Sequence, residues 1–373
     1  MKTSGFAKIG AVCAGALAFL IAGAPAAMAE PSPAGTFRTY SAVGSDTIQD
    51  VWNGLSNGVA GVNGGAAVVS TVGSYDAFPT GTVRTKSGGP LYNRPAGSGN
   101  GVLALSASNN SPFTFSGINI QNQVDFARSS SRPSSAFPGA NLRYLPFARD
   151  AVSVVGRGLD ADLINFTTAE LTSIYSCTSG GNINVSGTTV TYNNGSTVNQ
   201  VLRPILPQTG SGTRSFFLSA IGVATPAGCV SATTVPENSG TPLATTGQVV
   251  PFSAAQWIAQ KNGVVTNTVS NAALRITSIN GSAPTAGSGT ALTPGLLYGS
   301  AATAPPTTGF ARDTYSVADA SDINILAADT ALETTLTASV GTTDGQAVIA
   351  KYGFLNLGYL GVEGNYLSSG YTN

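Results

Sequence analysis

Along this chain, short runs of extended-type apolar residues alternate with stretches of helical spacing. Residues 37–43 read as a first strand, and Ile48, Val51, Trp52 and Leu55 then recur on one helix face. Residues 57–101 are Gly-rich and irregular, and 113–125 build toward a short strand. Tyr144–Ala148 and Ala151–Val155 read as buried strands, and Thr167–Ile174 as a short helix capped by Thr167 or Thr168. Alternation over Val185–Val201 about Asn193-Asn194-Gly195 predicts a hairpin. Leu202–Leu206 is a strand, after which Phe216, Phe217, Ala220 and Ile221 return to helical spacing. A helix over Pro251–Gln260 with Ser253 as its cap, a strand over Ala273–Ile279, a surface loop over 280–309 and closing helices over Asp322–Ala338 and Gly345–Leu357 complete the reading. There is no internal repeat. Strands alternating with helices predict an α/β fold.

The first residues follow a different logic. Lys2 and Lys8 precede an apolar run from Ile9 to about Ala22, and Ala27-Met28-Ala29 supplies a small-x-small cleavage pattern. Residues 1–29 are therefore expected to be a secretory signal, leaving Glu30 at the mature N-terminus of a secreted, extracytoplasmic protein. Cys13 lies inside the apolar run behind Gly10-Ala11-Val12, a poor lipoprotein signal. Residues 30–36 read as a flexible leader. No other run reaches the ~18 apolar residues of a membrane span.

Composition narrows the chemistry. The chain has 373 residues, 17 basic and 17 acidic, a charged fraction of only 9%, and no histidine. A Ser–His–Asp triad, His-ligated zinc and an imidazole base are excluded. Losing Lys2 and Lys8 with the leader takes the basic count from 17 to 15, a net charge of −2, so nucleic acid is not an expected partner. The acidic residues are scattered, so neither a metal nor a cofactor is expected. Two cysteines remain after cleavage, Cys177 and Cys229. In an oxidising compartment such a pair reads as one disulfide, worth about 4 kcal/mol by loop entropy.

The few charges gather in turns. Gly44–Thr47, Arg128–Arg132 and Gly210–Arg214 each follow a strand, are rich in Gly, Ser or Thr, and carry Asp46, Arg128, Arg132 and Arg214. The first and third open helices. Free backbone N–H groups and hydroxyls at a helix N-terminus form an anion site, and an Arg fork matches a tetrahedral oxyanion. The candidate ligand residues are Ser45, Asp46, Thr47, Arg128, Ser129, Ser130, Ser211, Gly212, Thr213 and Arg214. Asp46 has two readings here: N-cap of the following helix, or acceptor of a ligand proton.

The strings Val43–Gln49, Asp125–Ser130, Gly210–Arg214 and Pro251–Trp257, in that order, resemble the phosphate-binding proteins of bacterial phosphate ABC transporters in their actinobacterial form. The resemblance covers about 37–365. It implies a two-lobed type 2 periplasmic-binding fold, a clamshell with hinge crossovers near Arg149-Asp150 and Arg312-Asp313. Lobe one would be 37–148 plus 310–373, and lobe two 149–309. It further implies a monomer that captures inorganic phosphate, or a similar oxyanion, for an ABC permease, without catalysis. The pattern departs from the family at Ser130, where an Asp is usual, and at Pro207, where an Arg is frequent. Asp46 is then the leading candidate to accept the proton of hydrogen phosphate. Two other classes remain: a surface or adhesion protein retaining the fold, and a phosphate-handling hydrolase. Leu206–Gly210 also matches a sortase wall-anchoring pattern, but it lies mid-chain.

Overall fold

The structure is a computed structural model that describes residues 30–31, 33, 35–110, 112–131, 142–300, 302, 309–319, 321–322, 331–357 and 367–368. The expected leader over 1–29 and Arg132 lie outside these residues. Eleven strands form one sheet: β1 (Tyr40–Gly44), β2 (Val72–Ser74), β3 (Phe126–Ser129), β4 (Leu142–Arg157), β5 (Ile183–Ser186), β6 (Thr189–Asn193), β7 (Asn199–Pro204), β8 (Gln248–Ser253), β9 (Leu274–Ile276), β10 (Ala311–Asp319) and β11 (Leu367–Ser368). Their order is β2-β1-β3-β10-β4-β8-β7-β6-β5, with β9 and β11 also paired to β4. The helices are α1 (Gln49–Asn57), α2 (Ser98–Asn109), α3 (Thr168–Ser176), α4 (Gly212–Ala220), α5 (Ala254–Lys261), α6 (Ala331–Gly341) and α7 (Thr343–Lys351). None among the described residues is long and apolar enough to cross a membrane.

Two long antiparallel strands, β4 and β10, run through the middle of the sheet, and the packing changes partners along β4. Leu142 to Ala148 join cores that contain α1, α2 and the first three strands. Ala151 to Val155 join cores that contain α3, α4 and β5 to β8. The apolar face read at Ile48, Val51, Trp52 and Leu55 is fully buried, and Trp52 stacks on Phe147 with ring centroids 5.3 Å apart. Truncating such a side chain costs about 3–5 kcal/mol, so α1 is firmly seated. On the other side Thr167 caps α3 through a reciprocal pair with Glu170: each side chain accepts the other's backbone N–H, at 3.2 and 2.8 Å. Helix α5 straddles the division. Its Ala255 and Ala259 pack toward α1, and Trp257 and Ile258 pack toward the other cores.

Several elements differ from the sequence reading for physical reasons. The two strands expected around Phe147 and Val154 are one continuous 16-residue strand, because Arg149 and Asp150 between them are paired across the sheet rather than turned to solvent. Pro251 to Ser253 belong to β8, and Ser253 caps α5 by accepting the Gln256 N–H. Residues 113–125 form no strand beyond a Phe115–Ile118 bridge; the strand begins at Phe126. Helix α2 begins at the end of the stretch read as irregular, since Gly99 and Gly101 in its first turn weaken the helical signal, and it continues to Asn109. The Cys177–Cys229 bond is present, with Cα atoms 5.8 Å apart.

Candidate functional site

Across the central strands β4 and β10 the sheet register sets two ion pairs side by side. Arg312 lies opposite Asp150, and Asp313 opposite Arg149. The Arg312–Asp150 contact is 2.8 Å and the Arg149–Asp313 contact 3.0 Å, with every partner buried. Asp150 also accepts from the Ser253 hydroxyl at 3.0 Å and the Ala255 N–H at 3.1 Å. Burial raises its carboxyl pKa, and Arg312 is the main opposing influence. One guanidinium nitrogen of Arg312, Nη1, has no partner; the group lies 5.6 Å from the centre of the Phe216 ring.

The turn after β1 is held against these strands by neighbouring elements. Ser45, Asp46 and Thr47 are all fully buried. Gln256 of α5 donates to the Thr47 carbonyl at 2.8 Å, and Asn238 to that of Asp46 at 3.4 Å. The Thr47 hydroxyl sits 3.3 Å from that of Thr213 at the start of α4, 3.3 Å from Glu237 and 3.4 Å from Arg312. Thus Thr47, Thr213, Glu237 and Arg312, distant in sequence, meet at one buried point. Helix α1 begins at Gln49 with Ile48 as its cap position and no side-chain cap bond. Asp46 therefore does not cap it. Neither Asp46 oxygen has a hydrogen-bond partner. Its pKa is raised well above the ordinary carboxylate range, first by burial and then by the neighbouring Glu237 carboxyl, with Arg312 opposing.

The second and third turns meet beside the N-terminus of α2. Ser98 accepts the Ser130 N–H at 2.9 Å, and the two hydroxyls are 3.1 Å apart. Gly97, at φ 93°, brings the start of α2 against the carbonyl of Gly210, where a Cβ would lie at 2.5 Å. A Cβ on Gly212 would lie 2.4 and 2.6 Å from the hydroxyl oxygens of Ser98 and Ser130, so only glycine permits this approach. Ser211 caps α4 by accepting the Arg214 N–H at 3.1 Å. A cavity of about 230 Å³ opens here, lined by Ser98, Ser129, Ser131, Gly210, Ser211 and Tyr144 among others. The N-termini of α2 and α4 both border it, and α2 has no side-chain cap.

The two expected cations are otherwise engaged. Arg128 is fully buried and donates to the carbonyls of Ala42, Ser45 and Tyr75 and to the Ser74 hydroxyl, at 2.6–3.3 Å. It ties β1 to the turn after β2, and burial pushes its pKa down to about 10. Arg214, half-buried, donates to the Pro207 carbonyl at 2.8 Å and steadies the turn leading into α4. The Ser129 hydroxyl donates to the Ser131 carbonyl at 2.8 Å. Of the candidate residues, Thr47, Ser130, Gly212 and Thr213 converge with Ser98 and Glu237, which sequence reasoning did not single out, and with Arg312, which it named only at a hinge crossover. Ser98 had a signal, the run Gly97-Ser98-Gly99-Asn100-Gly101 ahead of Val102 and Leu105. Glu237 and Arg312 had none; only the fold brings them in.

A scan against protein-family models finds no match, and a search of curated proteins finds none. Solved structures do match. One is a phosphate ABC transporter substrate-binding protein with bound phosphate from Clostridium perfringens, at 10% identity and a TM-score of 0.50 over 85% of this chain and 99% of that one. The fold is that of a two-lobed periplasmic binding protein. An ABC-type phosphate transport receptor from Vibrio cholerae matches at 14% identity and a TM-score of 0.48 over 85% and 99% of the two chains. A phosphate-binding protein from Stenotrophomonas maltophilia matches at 14% and 0.48 over 87% and 91%.

Proposed function

We propose that this protein is a secreted substrate-binding protein that closes on inorganic phosphate, or a closely related oxyanion, and delivers it to an ABC importer. The observation that carries the reading is the convergence of the N-termini of α2 and α4 with four hydroxyls, Thr47, Ser98, Ser130 and Thr213, beside a buried guanidinium with an unpartnered nitrogen. Helix N-termini and hydroxyls solvate an anion without fixed charge, and Arg312, 3.4 Å from the Thr47 hydroxyl, supplies a cation beside them. The site draws Thr47 from one side of the hinge and Gly212 and Thr213 from the other, so a bound anion is gripped by two lobes, 37–148 plus 310–373 and 149–309. That phosphate is the cargo is supported by the matched structure with bound phosphate. A leader over 1–29 and the Cys177–Cys229 bond fit an extracytoplasmic location. A ligand that binds the closed form raises the melting temperature. Thermal shift with phosphate, arsenate, sulfate and citrate is the test, with stabilisation by phosphate and arsenate expected. No shift with any of the four at millimolar concentration would reject the reading.

A further inference from the structure

Glu237 reaches the anion site on a loop fastened to two neighbours. Its own carbonyl accepts the N–H of Ser253, the cap of α5, at 3.1 Å. The next residue, Asn238, donates to the Asp46 carbonyl at 3.4 Å and accepts from Gln260 of α5 at 2.7 Å. The Glu237 side chain is thereby set among the groups assigned to the anion. Its Oε1 accepts the Thr47 hydroxyl at 3.3 Å, and that hydroxyl lies 3.3 Å from Thr213 and 3.4 Å from Arg312. The residue is fully buried, and its Oε2 has no hydrogen-bond partner. A buried acceptor left without a donor is costly, the more so when it is charged. An occupant that brings an O–H removes that cost. An occupant with acceptors only does not.

Charge decides which protonated form fits. Arg312 of β10 spends Nε and Nη2 on Asp150 of β4, at 3.2 and 2.8 Å, so its positive charge is already matched. Arg149 and Asp313 match each other across the same strands. Arg128 of β3 is spent on carbonyls and Ser74, and Arg214 of α4 on the Pro207 carbonyl. Helix α5 brings the neutral amide of Gln256 to the Thr47 carbonyl. Asp46, beside Thr47 in the chain, has a carboxyl that burial holds toward its neutral form. Among the described residues, what remains is the N-termini of α2 and α4, each worth about half a positive charge, against the carboxylate of Glu237. These nearly cancel. Such a site accepts one further negative charge and repels two. We propose that Glu237 confines the site to a singly charged oxyanion bearing O–H groups, dihydrogen phosphate or dihydrogen arsenate, by taking one ligand O–H at Oε2 and repelling dianions. This rests on the anion-capture reading. Phosphate passes from its singly to its doubly charged form near neutrality, so affinity for total phosphate falls as pH rises through that range. The loss approaches about tenfold per pH unit once the dianion dominates.

The probes are inorganic phosphate and monofluorophosphate, a tetrahedral dianion of similar size that carries no O–H near neutral pH. Calorimetric titration of the wild type with both, between about pH 6 and about pH 8.5, needs no variant. Phosphate affinity should fall across that range, by close to tenfold per unit at its upper end. At about pH 6 monofluorophosphate should bind at least about 100-fold more weakly than phosphate. Glu237→Gln keeps the shape, removes the charge and offers an N–H where the carboxylate offered an acceptor. In that variant phosphate affinity should stay level or rise with pH, and monofluorophosphate should gain at least about tenfold. Circular dichroism and the melting temperature check that the variant is folded. A wild type that binds monofluorophosphate within about threefold of phosphate, or binds phosphate equally well at both ends of the range, would overturn the role of Glu237 while leaving anion capture standing. A folded Glu237→Gln protein with wild-type pH dependence and selectivity would overturn it too. If neither anion binds the wild type at millimolar concentration, the capture reading itself fails and this role falls with it.

Discussion

Replacing Arg312 with alanine tests the hinge and the anion site together. The substitution strands Asp150, which keeps its bonds from Ser253 and Ala255 but loses its cation in a fully buried place. Breaking a buried pair from one side costs about 3–5 kcal/mol, roughly a 10²- to 5 × 10³-fold fall in the ratio of folded to unfolded protein. The loss depends on pH in a definite direction. Burial already raises the Asp150 carboxyl, and Arg312 is the chief influence holding it down. Without Arg312 the carboxyl takes a proton more readily in the folded state. The penalty is therefore largest above neutrality and shrinks as pH falls. Loss of the charge-assisted contact to the anion should cost a further 10- to 100-fold in phosphate affinity, about 1.5–3 kcal/mol. Urea unfolding at two pH values measures the first effect, and calorimetric titration the second. The pair Asp150→Asn with Arg312→Met separates them, because it removes both charges. It should recover most of the stability and none of the affinity. An Arg312→Ala protein that unfolds at the wild-type urea midpoint, or a double variant that binds phosphate like wild type, would refute the reasoning.

The remaining predictions concern single groups. Arg214→Ala should weaken phosphate binding by less than tenfold, since its guanidinium is spent on the Pro207 carbonyl; a loss as large as that of Arg312→Ala would make Arg214 the ligand's cation. Gly212→Ala puts a methyl 2.4 Å from the Ser98 hydroxyl oxygen and should lower phosphate affinity at least tenfold with the circular dichroism spectrum unchanged; calorimetry showing wild-type affinity would place the anion elsewhere. Asp46→Asn should narrow the preference for phosphate over sulfate, because a carboxyl able to accept the ligand's proton is replaced by an amide that offers sulfate a donor; an unchanged ratio in competition calorimetry would remove Asp46 from selectivity. Cys177→Ser with Cys229→Ser should lose about 4 kcal/mol of stability in urea unfolding, and an unshifted midpoint would mean that the bond constrains little.

The alternation of strands and helices was legible because α1, α3 and α4 each carry a clear apolar stripe or cap, and the disulfide because only two cysteines, Cys177 and Cys229, follow residue 29. What escaped was governed by long-range pairing. Residues 311–319 look polar, with Arg312, Asp313, Thr314 and Ser316, yet they form a buried central strand because Arg149 and Asp150 stand opposite the charges. The same pairing hides the continuity of β4. In the site, local glycine and serine patterns marked the turns, but not what the turns enclose. Arg128 and Arg214 look like ligand cations in sequence, and local carbonyls claim them. Arg312 and Glu237 carry no local signal, and only the crossing of β10 and the loop before β8 brings them to Thr47.

Equilibrium dialysis with radiolabelled inorganic phosphate, against excess sulfate, measures the central claim directly. One phosphate per chain should be retained saturably, and sulfate should fail to displace it. A folded protein that retains no phosphate at millimolar concentration, or surrenders it to equimolar sulfate, would contradict it.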